Sequence, residues 1–200
     1  MNAEGERVKR AIDVVGAVAG LALAAPILAL AACAVKLEDS GPVFFRQMRL
    51  GRGERPFEVM KLRTMTVDAE QVRSDGVVEE GDARITRVGA VLRRTAVDEL
   101  PQLWNVLRGE MSLVGPRPVP LPHLERYDAR QRRRLEVRPG LTGWAQIHGR
   151  ASLPWPERIE LDVWYVEHRS LAVDARILAR TAGVLLRRDF VYRGEAGGWR

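Results

Sequence analysis

One cysteine, Cys33, stands in the 200-residue chain, which excludes an internal disulfide framework and suits a reducing compartment. Lysine is almost missing: Lys9, Lys36 and Lys61 are the only three, so nearly all the positive charge is arginine. The histidines His123, His148 and His168 lie far apart and show no H-x-x-x-H spacing, which argues against zinc. Aromatic residues are only 6% of the chain. Without a helix-turn-helix, RRM or zinc-finger pattern, little is left to read or stack on bases, so nucleic acid is not expected as a partner. No internal repeat or low-complexity linker divides the chain. Its length suits one real core and is too short for two ordinary domains.

What is present is basic and partly very apolar. The formal charge is +6, with 46% hydrophobic residues. That balance suits anionic partners such as a membrane face or phosphorylated small molecules. From Val14 to Val35 there is no charged residue, which meets the roughly 20 residues a helix needs to cross a bilayer. Pro26 sits near the middle, where it removes one backbone hydrogen bond and kinks a helix. Arg7, Lys9 and Arg10 precede the run and Lys36 follows it, and positive flanks favour the cytoplasmic side. A hairpin that enters, bends at Pro26 and returns to the same face satisfies both features. A straight single pass is the alternative. A cleaved lipoprotein signal ending at Leu30-Ala31-Ala32-Cys33 is a third reading, but the run exceeds the roughly 7–15 residues of a signal core. The expected organisation is a membrane-anchoring helix over 1–40, a small cytosolic domain over 41–193 and a loose tail over 194–200.

Along the second segment, Val43 to Arg49 reads as a short strand or surface element, and Gly51 to Glu54 as a turn. Phe57 to Met65 alternates as a strand, with Glu58, Lys61 and Arg63 on its surfaces. Residues 66–82 carry six acids and read as a solvated loop. Arg84 to Arg94 is basic and amphipathic. Prolines at 116, 118, 120 and 122 force a stiff, extended path that holds Arg117 rigidly, as a phosphate clamp requires. Residues 123–137 read as a helix whose arginines, Arg130, Arg132, Arg133 and Arg134, form a solvated face. Between 138 and 150, Gly140, Gly143 and Gly149 allow close backbone approach to a ligand. Arg138, Gln146 and Arg150 are the polar side chains there that can meet phosphate or substrate. Glu160 onward is an apolar-rich helix. Leu171 to Phe190 is an amphipathic helix that either lies in a membrane interface or packs on the core.

The central stretch is Arg93-Arg94-Thr95-Ala96-Val97-Asp98-Glu99-Leu100-Pro101-Gln102-Leu103. Leu100, Leu103, Trp104 and Leu107 fall at helical spacing and Gly109 reads as the stop. Asp98 and Glu99 are thereby placed at a helix start, where the macrodipole favours negative charge. Read by itself, the pair is a helix cap.

Together these segments resemble the bacterial sugar transferase family, the monotopic phosphoglycosyl transferases. The resemblance runs from about Val8 to Phe190. It is carried by the basic-flanked apolar helix with Pro26, by Lys61-Leu62-Arg63-Thr64-Met65, by Asp98 to Leu107, and by Met111-Ser112-Leu113-Val114-Gly115-Pro116-Arg117-Pro118. Val137 to Gln146 and Glu160-Leu161-Asp162-Val163 extend it. Ala25 precedes the proline where the family has serine, so no hydroxyl is available there to a freed backbone group. The resemblance implies a helix-dominated α+β fold with a membrane-inserted, Pro26-kinked re-entrant helix and interfacial amphipathic helices. It implies an enzyme of the inner membrane whose catalytic domain faces the cytoplasm. That enzyme moves a sugar phosphate from a UDP-sugar to polyprenyl phosphate, releases UMP and begins an exopolysaccharide or similar glycan. It further implies catalytic roles for Asp98, Glu99, Arg93, Arg117 and Asp174, phosphate contacts from Lys61 and Arg63, and Mg²⁺ held by Asp98 and Glu99. Membrane lipids are the remaining expected partner. A membrane-tethered basic binding module without catalysis is the alternative from another class.

Overall fold

The computed structural model describes residues 1–67, 82–149 and 153–187. The acidic loop beyond Val67, Arg150 and the expected tail lie outside them. The chain opens with α1, Ala3–Glu38, which is helical on both sides of Pro26. Asn2 caps it by accepting from the Gly5 N–H at 2.9 Å. By length and composition α1 is long and apolar enough to cross a membrane.

One side of α1 is buried against the rest of the chain. Asp13, Ala17, Ala24, Ala31 and Val35 recur at helical spacing along it. Ala17 packs with Phe57, Val59, Leu103, Val106 and Met111. Ala31 and Val35 pack with Leu62 and Leu92. The opposite side leaves Ile12, Val15, Leu23, Ile27 and Leu30 exposed. The middle of the helix is therefore apolar on both sides, and where it meets protein it uses the small residues Gly16, Ala17, Gly20, Ala24 and Ala31 together with Leu21, Leu28 and Val35.

Two strands follow, β1 (Phe44–Leu50) and β2 (Pro56–Leu62), paired antiparallel from Phe44↔Leu62 to Leu50↔Pro56. The expected strand at 57–65 thus begins one residue earlier and ends at Leu62. Next comes α2 (Arg87–Thr95), capped by Thr86. Glu38, the last residue of α1, accepts from the Arg87 and Val88 N–H groups at 2.7 and 3.0 Å. The end of one helix therefore satisfies orphan donors at the start of the next. A 3₁₀ turn over Val97–Glu99 leads to α3 (Gln102–Arg108), which Gly109 stops with φ 81°, as its sequence position implied.

Past Gly109 the extended path is built as β3 (Ser112–Val114) and β4 (Val119–Pro120). β4 adds to β1 and completes the sheet order β2-β1-β4, while β3 pairs in parallel with β5 (Gly140–Thr142). The helix expected over 123–137 is broken. A 3₁₀ stretch, Leu121–Arg126, and extended Tyr127 precede α4 (Ala129–Arg132), and a second 3₁₀ turn covers Arg133–Leu135. Asp128 restarts the helix through a capping box with Gln131, a local bond that competes with helix continuation through this point. After β5 come α5 (Trp144–Ile147), α6 (Trp155–His168) and α7 (Leu171–Arg187). Ile177 of α7 is fully buried with Val114, Val137 and Tyr165, so that helix packs one face on the core.

Candidate active site

Asp98 and Glu99 do not cap α3. Pro101 precedes that helix and no side chain bonds its first turn. The early amides are already used, Leu103 N–H by the Leu100 carbonyl and Trp104 N–H by that of Pro101. The pair instead occupies its own 3₁₀ turn, reached through Ala96 with a left-handed φ of 55°. That unusual backbone ends α2 and redirects the chain, so Asp98 and Glu99 sit between two helices beside the sheet.

The two carboxylates are treated oppositely. Glu99 accepts from Lys61 Nζ at 2.7 Å and from Arg117 at 2.6 Å, with a 13% exposed side chain. Burial alone would raise its carboxyl, but the Arg117 and Lys61 charges and hydrogen bonds hold it well below the usual glutamate range. Asp98 is 9% exposed, and no side-chain hydrogen bond from it is seen among the described residues. Burial and the neighbouring Glu99 charge push its carboxyl up to about 6, against the pull of Lys61, Arg93 and Arg117. One carboxylate is thus committed to a structural ion-pair network, and the other is left uncommitted and ringed by cations.

Each cation is positioned by a different element. Lys61 comes from β2, paired directly across from Phe45 of β1 and on the same face of the sheet. Arg93 lies in the last turn of α2 and donates to Thr64 Oγ1 at 3.4 Å. Arg117 stands between β3 and β4. Its own carbonyl accepts from Arg134 Nη2 at 3.0 Å, and the preceding Pro116 carbonyl accepts from Gly140 N–H at 2.8 Å. The guanidinium of Arg134 is 1% exposed and pairs with Asp162, 2% exposed, while also donating to the Tyr127 hydroxyl. Arg134 was expected on a solvated face. The structure buries it in the 3₁₀ turn Arg133–Leu135, where Asp162 and the Tyr127 hydroxyl satisfy its guanidinium.

The other expected site residues lie elsewhere. Arg63 pairs with Asp39 just past α1. Arg138 Nε donates to the Gly109 carbonyl at 3.0 Å. Asp174 accepts from Lys9 at 2.6 Å and from the Tyr165 hydroxyl at 2.7 Å, and both donors also reach the Val114 carbonyl. An apolar cavity of about 120 Å³ adjoins that pair, bounded by Leu113 and Leu178. Gln146 is 5% exposed, with both amide atoms unpaired. Gly140 and Gly143 meet protein rather than a ligand. A Cβ on Gly140 would lie 2.0 Å from Gly115 N, and one on Gly143 would lie 2.2 Å from Gly115 O. These glycines let β5 press against the strand that leads to Arg117.

Arg49 of β1, which the sequence reading does not single out, lies near enough to Arg117 and Glu99 to feel their charges. The signal was the alternation of β1, which puts residues 45, 47 and 49 on the face of the sheet that carries Lys61.

As to metal, no group of three or more His, Cys, Asp or Glu that could hold an ion is found among the described residues. Glu99 is engaged by Lys61 and Arg117, which leaves Asp98 as the one uncommitted carboxylate. That fits Mg²⁺ only in its common mode of one or two carboxylates completed by substrate phosphate oxygens.

An uncommitted buried carboxylate among cations, next to a long apolar helix, defines a site for chemistry on anionic substrates. The family comparison gives that class its name. Residues 4–188 match the model of the bacterial sugar transferase family. The chain is 43% identical over 178 residues to the uncharacterized sugar transferase EpsL of Bacillus subtilis, covering 89% of this chain and 87% of that one. It is 48% identical over 196 residues to the UDP-glucose:undecaprenyl-phosphate glucose-1-phosphate transferase of Caulobacter vibrioides, covering 92% and 72%. It is 40% identical over 191 residues to the exopolysaccharide production protein ExoY of Rhizobium meliloti, covering 88% and 84%. The chain belongs to the bacterial sugar transferase family and is a phosphoglycosyl transferase.

Proposed function

We propose that the protein transfers a sugar 1-phosphate from a UDP-sugar to undecaprenyl or another polyprenyl phosphate, releasing UMP, as a step of exopolysaccharide synthesis. Relatives named for this reaction and for exopolysaccharide production support the reading. The observation that carries the mechanism is the split between Asp98 and Glu99: one carboxylate free to react, the other held by Lys61 and Arg117.

In the first step an Asp98 carboxylate oxygen attacks the phosphorus that bears the sugar. The bond from that phosphorus to the bridging oxygen breaks, and UMP leaves with the electron pair. The product is an aspartyl phosphosugar. In the second step a phosphate oxygen of the polyprenyl phosphate attacks the same phosphorus. Asp98 departs as carboxylate and the sugar remains on a polyprenyl diphosphate. Arg117 and Arg93 stabilise charge on the transferring group. Glu99 holds Arg117 and Lys61 in place. Asp98 is the carboxylate that would hold Mg²⁺, which would supply positive charge to offset the negative charge of the diphosphate. On this reading the exposed apolar side of α1 enters the bilayer from the cytoplasmic face, which its length, apolarity and basic flanks support.

The test is UMP release across a panel of UDP-sugars, using membrane-embedded protein with and without polyprenyl phosphate and Mg²⁺. Release with at least one sugar supports the reading. Salt-sensitive lipid binding with no UMP from any sugar favours the non-catalytic module instead.

A further inference from the structure

The site contains a cation that its carboxylates leave unbalanced. Arg49 has no ion pair among the described residues, and its guanidinium donates to the neutral amide oxygen of Gln47. Strand alternation puts Gln47 and Arg49 on the sheet face that carries Lys61, with Arg49 opposite Phe57. On its other side Arg49 pairs with Pro120 of β4, three residues beyond Arg117. The one carboxylate whose charge helps it is Glu99, and both Glu99 oxygens are already engaged by Arg117 and Lys61. Burial and repulsion from Arg117 lower the Arg49 guanidinium to about 10. A partly buried arginine kept without an anion is costly unless a ligand supplies one. The planar guanidinium fork matches phosphate oxygens.

We propose that Arg49, oriented by Gln47, is a second phosphate-binding residue of the active site, taking a phosphate oxyanion beside the one that Arg117 faces. The inference rests on the proposed function for the identity of that phosphate. It belongs either to the nucleotide, as in UDP-sugar and UMP, or to the polyprenyl phosphate acceptor.

The test uses the full chain in detergent and two variants, Arg49→Gln and Gln47→Glu. Gln47→Glu nearly preserves shape and gives Arg49 a permanent counter-ion, so it neutralises the subsite without emptying it. Affinities for UMP, for a short-chain polyprenyl phosphate and for inorganic pyrophosphate are measured by calorimetry, with thermal melts alongside. Both variants are expected to weaken pyrophosphate by about tenfold or more. The melting temperature of Gln47→Glu is expected to be at or above that of the parent. A matching loss for UMP alone assigns the phosphate to the nucleotide, and a loss for polyprenyl phosphate alone assigns it to the acceptor. Pyrophosphate affinity unchanged within twofold in a folded Gln47→Glu variant overturns the proposal. If the parent chain releases no UMP from any UDP-sugar yet Arg49→Gln still loses pyrophosphate, the anion subsite stands and the proposed function does not.

Discussion

Asp98 and Glu99 are adjacent in sequence and chemically opposite in the fold. Glu99 is held ionised by two cations, while burial and the Glu99 charge raise Asp98 to about 6. In the proposed mechanism Asp98 attacks in its ionised form, so UMP release should lose rate as pH falls, with an apparent acidic pKa near 6 that belongs to the two carboxylates together. A pH–rate profile of single-turnover UMP release checks this. The same shift bears on stability. The folded pKa of Asp98 lies above the unfolded value of 3.8, so ionised Asp98 destabilises the fold at neutral pH. That penalty fades as pH drops through 6 toward 3.8. Asp98→Asn is therefore expected to melt higher than the parent at pH 7–8 while losing about 1,000-fold or more of its UMP release, read by thermal melts and a UMP assay. The pair was singled out by the resemblance, since residue order alone reads it as a helix cap. The division of labour was not legible, because it depends on Lys61 and Arg117 arriving from segments 38 and 18 residues away from Glu99. Nor was the turn that holds the pair, because Ala96 in a left-handed backbone has no sequence signature of the kind that glycine at 109 has.

At the level of elements, the path from β3 to β4 is clamped from both sides. β5 grips it through the Gly115–Gly140 approach, and Arg134 holds the Arg117 carbonyl. Pro116, Pro118 and Pro120 made this stretch legible as extended, whereas Pro122 falls in the 3₁₀ stretch Leu121–Arg126. The buried Arg134–Asp162 pair was hidden in a run of arginines whose ordinary fate is solvent. Replacing Asp162 by Asn leaves a buried guanidinium without its anion and should cost roughly 3–5 kcal/mol in a denaturant melt. The double change Arg134→Met with Asp162→Leu should recover much of that stability. It should not recover turnover, because the Arg117 carbonyl has lost its donor. The seam of α1 follows the same logic. Asp13 is 2% exposed and accepts from Ser112 Oγ and Leu113 N–H, both at 2.9 Å. Asp13→Ala strands two buried donors and should destabilise by about 2–4 kcal/mol, also read by denaturant melt.

Across the whole molecule, α1 is at once the apolar segment and a wall of the core. It supplies Ala17 to one buried cluster and Ala31 and Val35 to another, and its last residue caps α2, which carries Arg93. The sequence made its length and apolarity plain. The pattern of small residues that lets it lie against the catalytic elements became readable only once Leu103, Leu113 and Leu92 were known to face it. A chain lacking residues 1–38 should therefore fail to give a cooperative thermal melt, rather than behave as a detached soluble catalytic domain.

The most direct measurement is on the covalent step. The detergent-solubilised protein is mixed with a UDP-sugar that it turns over, in the absence of polyprenyl phosphate, and UMP and intact protein mass are followed together. The expected result is a burst approaching one UMP per protein with a matching mass gain of one sugar phosphate on the peptide that contains Asp98, discharged when polyprenyl phosphate is added. UMP formed only after polyprenyl phosphate is present, with no mass gain at any time, contradicts a nucleophilic Asp98 and points to direct transfer between the two substrates.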